Sequence, residues 1–94
     1  MEKYNGWKNK ASWNVALWLN NDETLHFYTR VALKNYNTVH DSINVFIKFV
    51  TDAGITHTED GYELNYENLV EYFCNEFDEM KEEVYESRLE REGA

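Results

Sequence analysis

The sequence predicts an all-α fold, a compact bundle of about four helices. Three observations predict it. The 94 residues contain no proline, and only Gly6, Gly54, Gly61 and Gly93 interrupt them, which favours helices joined by short turns over a many-turned β-sandwich. Apolar residues recur at helical spacing through most of the sequence. Good capping residues stand ahead of those runs: Ser12, Asn21 or Asp22, Thr38 and Asn65.

The first element lies in Tyr4 to Asp22, which holds all three tryptophans, Trp7, Trp13 and Trp18. Ser12 reads as an N-cap for a short helix from Trp13 to about Leu19. Only Asn14 interrupts its apolar residues, and a helix apolar nearly all round is expected to be buried on most sides. Trp13 and Trp18 are therefore expected to be core anchors.

The run Tyr4-Asn5-Gly6-Trp7, Asn9, Ser12-Trp13-Asn14-Val15-Ala16-Leu17-Trp18 and Asn20-Asn21-Asp22 resembles the N-terminal signature of a family of small uncharacterised phage and plasmid proteins. The family pattern is YNGW-x-N-x-x-TWNV-x-LW-x-x-ND, with Ser12 here in place of the more usual threonine. The match covers about a fifth of the sequence, and beyond Asp22 little continues it except an Asp60-Gly61 turn. The resemblance implies a mobile-element origin. It carries over no activity.

A second helix is expected from Glu23 to Tyr36, with Leu25, Tyr28, Ala32 and Tyr36 on one stripe and Phe27, Val31 and Leu33 widening it. Thr38 caps a third, in which Val39, Ile43, Phe46, Ile47 and Val50 repeat at helical spacing up to a stop at Gly54. Residues 55–64 read either as a small β-hairpin about Asp60-Gly61 or as a loop. Asn65 caps the last helix, Tyr66 to about Ser87. There Tyr66, Val70, Phe73, Phe77, Met80 and Val84 form a heptad-like seam, which either packs within the bundle or joins two copies. The tail, 88–94, is expected to fray.

Composition narrows the functional classes. Hydrophobic content of 43% and aromatic content of 16% describe a protein that folds around a core, as one domain spanning 1–94. Cys74 is the single cysteine, so no internal disulfide forms and a reducing compartment suits the protein. No apolar run approaches the roughly 20 residues of a membrane span, and the N-terminus has no apolar signal core. The expected location is the cytoplasm of a bacterial host cell, with no membrane partner.

Catalytic and metal chemistry find little support. His26, His40 and His57 lie on different elements with no ligating spacing. Cys74 sits among carboxylates, the reverse of the electropositive setting a reactive thiol needs. A calcium loop over 56–67 would place Asp60, Gly61 and Glu67 correctly, but Thr56 and Thr58 stand where charged ligands belong. No phosphate loop or nucleophile elbow occurs. The protein is expected to be neither an enzyme nor a cofactor or metal carrier.

Charge is the stronger signal. Residues 1–58 carry five acids and six bases, a net of +1, whereas residues 59–94 carry thirteen acids and three bases, a net of −10. At 100° per residue, Glu67, Glu71, Asp78, Glu79, Glu82 and Glu86 fall opposite the seam, with Glu76 and Glu83 flanking it. Like-charge i,i+4 pairs such as Glu67/Glu71 and Asp78/Glu82 each cost about 0.2–0.5 kcal/mol, and late acids oppose the helix dipole. Local helix stability does not explain the arrangement. Those eight acids span about 28 Å, a charge roughly every 3.5 Å, close to the spacing along one DNA strand.

The expected function is a non-catalytic counter-defence inhibitor from a phage or mobile element, of anti-CRISPR or anti-restriction type. Its acidic helix would bind a basic nucleic-acid-handling host protein, a CRISPR effector or restriction enzyme. A merely solvated acidic face is one alternative. Another is a structural or regulatory phage protein that self-associates through the Tyr66–Val84 seam, although a monomer is expected. Direct binding of nucleic acid is disfavoured by a net charge of −9.

Overall fold

The computed structural model describes residues 4–92, with side chains described as far as residue 79. Four helices account for most of it: α1 Lys10–Asn21, α2 Glu23–Asn35, α3 Val39–Asp52 and α4 Tyr66–Glu92. Each helix packs on the next, α4 closes back onto α1, and α2 touches α4 across the bundle. The fold is all-α. Among the described residues there is no β-sheet, only two isolated bridges.

Three of the four caps fall where expected. Asp22 accepts from the Leu25 N–H at 3.0 Å and Thr38 from the Asp41 N–H at 3.1 Å, while Asn65 accepts from the Asn68 N–H at 2.9 Å. Each satisfies a donor that the first helical turn leaves unpaired. α1 starts earlier than expected. Its cap is Asn9, whose side chain accepts from the Ser12 N–H at 2.9 Å, so Ser12 lies inside the helix, fully buried. Gly54, at φ 80°, ends α3 in the left-handed region that glycine tolerates. α4 runs past the expected end at Ser87 to Glu92.

The core is aliphatic and phenyl, not indole. Val15, Ala16 and Leu19 of α1 meet Leu25, Ala32 and Leu33 of α2, Ile43, Phe46 and Val50 of α3, and Leu69, Tyr72, Phe73 and Phe77 of α4. Phe46 and Phe73 meet edge to face at its centre, ring centroids 5.5 Å apart. Trp7, Trp13 and Trp18 are only half-buried, which corrects the expectation of tryptophan anchors. The physical reason is that the inward stripe of α1 already runs through Ser12, Val15, Ala16 and Leu19, leaving Trp13 and Trp18 at its margins.

Two further stripes rotate from their expected positions. On α2 the buried residues are Leu25, Thr29, Ala32 and Leu33, whereas Phe27 is 62% exposed. On α4, Leu69 and Tyr72 take the inward place beside Phe73 and Phe77, while Tyr66 is exposed and Val70 half-buried. The Met80 and Val84 side chains of the expected seam lie outside the described residues. The connection 53–65 is a tight loop with one bridge, His57 to Glu63. Thr58 N–H bonds Tyr62 C=O at 2.8 Å, Leu64 N–H bonds Thr56 C=O at 2.9 Å, and Leu64 is buried beneath.

Candidate functional surface along the last helix

The acidic residues of α4 have unlike surroundings. Glu67, Asp78 and Glu79 are exposed, whereas Glu71 and Glu76 are half-buried. Glu82, Glu83 and Glu86 lie on the helix, and their side chains fall outside the described residues. The structure therefore separates the eight predicted residues into two with contacts inside the domain, three open to solvent, and three of which the backbone alone is described.

Glu71 meets the N-terminal strap, residues 4–8. One of its carboxylate oxygens accepts from the Lys8 main-chain N–H at 2.9 Å, and the Lys8 ammonium donates to Glu67 C=O at 2.8 Å. Asn5 at φ 48° and Gly6 at φ 88° form the strap's turn, closed by reciprocal hydrogen bonds between Tyr4 and Trp7 of 2.7 and 2.8 Å. Two positive φ angles in succession are what an Asn-Gly type I′ turn supplies. Aromatic rings dock the strap: Trp7 stacks on Tyr72 at 6.4 Å, and Tyr4 meets the Trp13 edge at 4.8 Å.

Glu76 faces Arg30 of α2 at 3.7 Å. Beneath it, the Tyr72 hydroxyl donates to Asn20 Oδ1 at 2.9 Å. Burial pushes the phenol well above its ordinary range, with the Glu76 charge adding to the effect and Arg30 opposing it. Tyr72 thus stays neutral and serves as a hydrogen-bond donor between α4 and α1.

A second polar cluster explains the spacing of the Ser12–Trp18 run. Asn14 is buried, and its amide donates to Asp60 Oδ2 at 2.7 Å while its carbonyl accepts from the buried Thr58 hydroxyl at 2.8 Å. Trp18 Nε1 donates to the same Asp60 oxygen at 2.9 Å. These hydrogen bonds, Asn14 first and Trp18 second, hold the Asp60 carboxyl below its ordinary value, helped by Lys10 and opposed by partial desolvation. Residues four apart on a helix share one face. Asn14 and Trp18 therefore act as a two-pronged clamp on the loop ahead of α4, a role not recognised from their sequence.

His26, His40 and His57 are exposed on separate elements, and Cys74 is exposed rather than packed. Among the described residues, no group of three or more His, Cys, Asp or Glu could hold a metal ion. Nor is any helix among them long and apolar enough to cross a membrane.

A family model described as "Family of unknown function (DUF7249)" matches residues 1–90. No curated protein and no solved structure matches the sequence.

Proposed function

The protein belongs to that family of unknown function, and on this footing we propose that it is a non-catalytic inhibitor from a phage or other mobile element. It works in the cytoplasm of a bacterial host and occupies the basic groove of a nucleic-acid-handling defence protein, a CRISPR effector or restriction enzyme. One observation supports the reading above others. α4 has 27 residues, whereas the helices it packs on have 12 to 14. At 1.5 Å per residue α4 is about 40 Å long, roughly twice their length, so no one of them spans it from end to end.

The far part of the helix has the charge such a partner would meet. Phe77 is the last buried side chain among the described residues. Beyond it the helix carries seven acids against three bases up to Glu92. The first part of α4 fastens the helix to the bundle, and the acid-rich remainder continues the helix past Phe77. Exposed charge on a preformed helix costs little ordering entropy on binding and steers a basic partner from a distance.

A pull-down from the bacterial host at low salt tests this reading. A nuclease or its guide complex, retained at low salt and released as salt rises, supports it. Recovery of nothing but the protein itself would overturn it.

A further inference from the structure

Two dipeptides place a glycine after a residue whose carboxyl or carboxamide group can cyclise onto the backbone, Asn5-Gly6 and Asp60-Gly61. In each, the glycine nitrogen can attack the carbonyl carbon of the preceding residue's side group to close a five-membered imide. Their surroundings differ. Asp60 Oδ2 is engaged by Asn14 and Trp18, and Gly61 N–H donates to Thr58 C=O at 2.9 Å. Both reacting groups are held in place.

Asn5 and Gly6 are exposed, and among the described residues neither the Asn5 carboxamide nor the Gly6 N–H makes a hydrogen bond. Among the described residues, Gly6 and its two chain neighbours aside, no atom lies within 4 Å of where a side chain on Gly6 would begin. Of eleven asparagines, Asn5 alone is followed by glycine. The turn opens by breaking the two Tyr4–Trp7 hydrogen bonds, and because Tyr4, Asn5 and Gly6 are all exposed, this local opening costs little.

We propose that Asn5-Gly6 is a site of spontaneous deamidation, and that its conversion releases the Tyr4–Lys8 strap from α4. The Gly6 nitrogen gives its proton to water and bonds to Asn5 Cγ; the Cγ–Nδ2 bond breaks and ammonia leaves. Water then adds to either carbonyl of the imide. One opening leaves aspartate, the other isoaspartate with the backbone rerouted through the β-carbon. No redox partner is needed. The isoaspartate path is one methylene longer, so the reciprocal Tyr4–Trp7 hydrogen bonds no longer both close. Either product adds a negative charge to a strap docked against the Glu71 carboxylate.

The test is to age the full-length protein at mildly alkaline pH, following each asparagine by peptide mass spectrometry and the strap by amide hydrogen exchange. Asn5 should convert before any other asparagine, and the Trp7 and Lys8 amides should lose protection on the same time course. Asn5→Gly keeps a residue suited to positive φ but has no carboxamide, so it should lose both changes. Asn5→Gln, whose larger ring closes more slowly, serves if the glycine variant misfolds. Conversion elsewhere with Asn5 intact overturns the proposal, as does conversion of Asn5 with Trp7 and Lys8 still protected. Equal loss of protection in the variant also overturns it.

Discussion

The indole N–H of Trp18 donates to the Asp60 carboxylate at 2.9 Å, joining residues 42 apart in sequence. Asn14 shares that carboxylate and also accepts from Thr58, so it is the hub of the cluster. Asn14→Ala strips the buried Thr58 hydroxyl of its acceptor and should cost about 1–3 kcal/mol, measured by urea unfolding. Trp18→Phe removes one donor from an exposed carboxylate and should cost much less. An unchanged midpoint for Asn14→Ala would mean that backbone hydrogen bonds alone hold the loop.

The same carboxylate gives a pH dependence. The folded pKa of Asp60 lies below the ordinary aspartate value of 3.8. Its stabilising contribution is therefore fully present above the unfolded value and is lost as pH falls through the folded one. Acid unfolding of wild type and Asp60→Asn should show a gap at neutral pH that closes at the acid end. A gap that stays constant down to the acid end would remove Asp60 from the account.

Core energetics should follow the phenyl rings. Phe46 and Phe73 are fully buried against each other, and Phe73→Ala should cost about 3–5 kcal/mol. Trp13→Ala should cost less, because Trp13 is half-buried at the margin against Tyr4. If chemical denaturation ranks Trp13 above Phe73, the assignment of the core is wrong.

The contrast between these rings also shows what the sequence could reveal. Caps at Asp22, Thr38 and Asn65 were legible because each is a short side chain bonding an N–H three residues on. So was the inward stripe of α3, where Ile43, Phe46 and Val50 repeat regularly. The tryptophans misled because apolar size does not fix direction, and α1 spends its inward positions on Ser12 and Ala16, which allow close approach. Helical arithmetic places Glu71 around its own axis. It cannot foresee a strap 63 residues away in sequence reaching that carboxylate, nor that Glu76 meets Arg30 of α2.

Solution state is open to direct measurement. Phe73 and Phe77 of the expected seam are already buried within one protomer, so that part of it is not available to a second copy. Sedimentation should find a monomer across a wide concentration range. A dimer that persists at the lowest measurable concentration would point instead to self-association through the remainder of α4.

The acidic helix itself is tested by charge reversal beyond the last described core residue, Phe77. Glu71 and Glu76 are poor choices, because their carboxylates meet Lys8 and Arg30 and a loss of binding could reflect a loosened bundle. Asp78 and Glu79 are exposed, and with Glu82 and Glu83 they form a compact set beyond the last described core residue. Changing all four to lysine leaves the 78/82 and 79/83 i,i+4 pairs like-charged, makes the pair with Glu86 one of opposite charge and places positive charge toward the helix C-terminus, so the local terms largely offset one another. The helical signal and melting temperature should therefore stay near wild type. Binding to a basic partner should be lost, and wild-type binding should weaken as salt rises, since exposed charges are screened over about 10 Å at 0.1 M salt. Folding is measured first and binding second, so a misfolded variant cannot be mistaken for a non-binding one. A folded variant that inhibits as well as wild type would reduce the acidic face to a solvated surface, and the proposed function would fail with it.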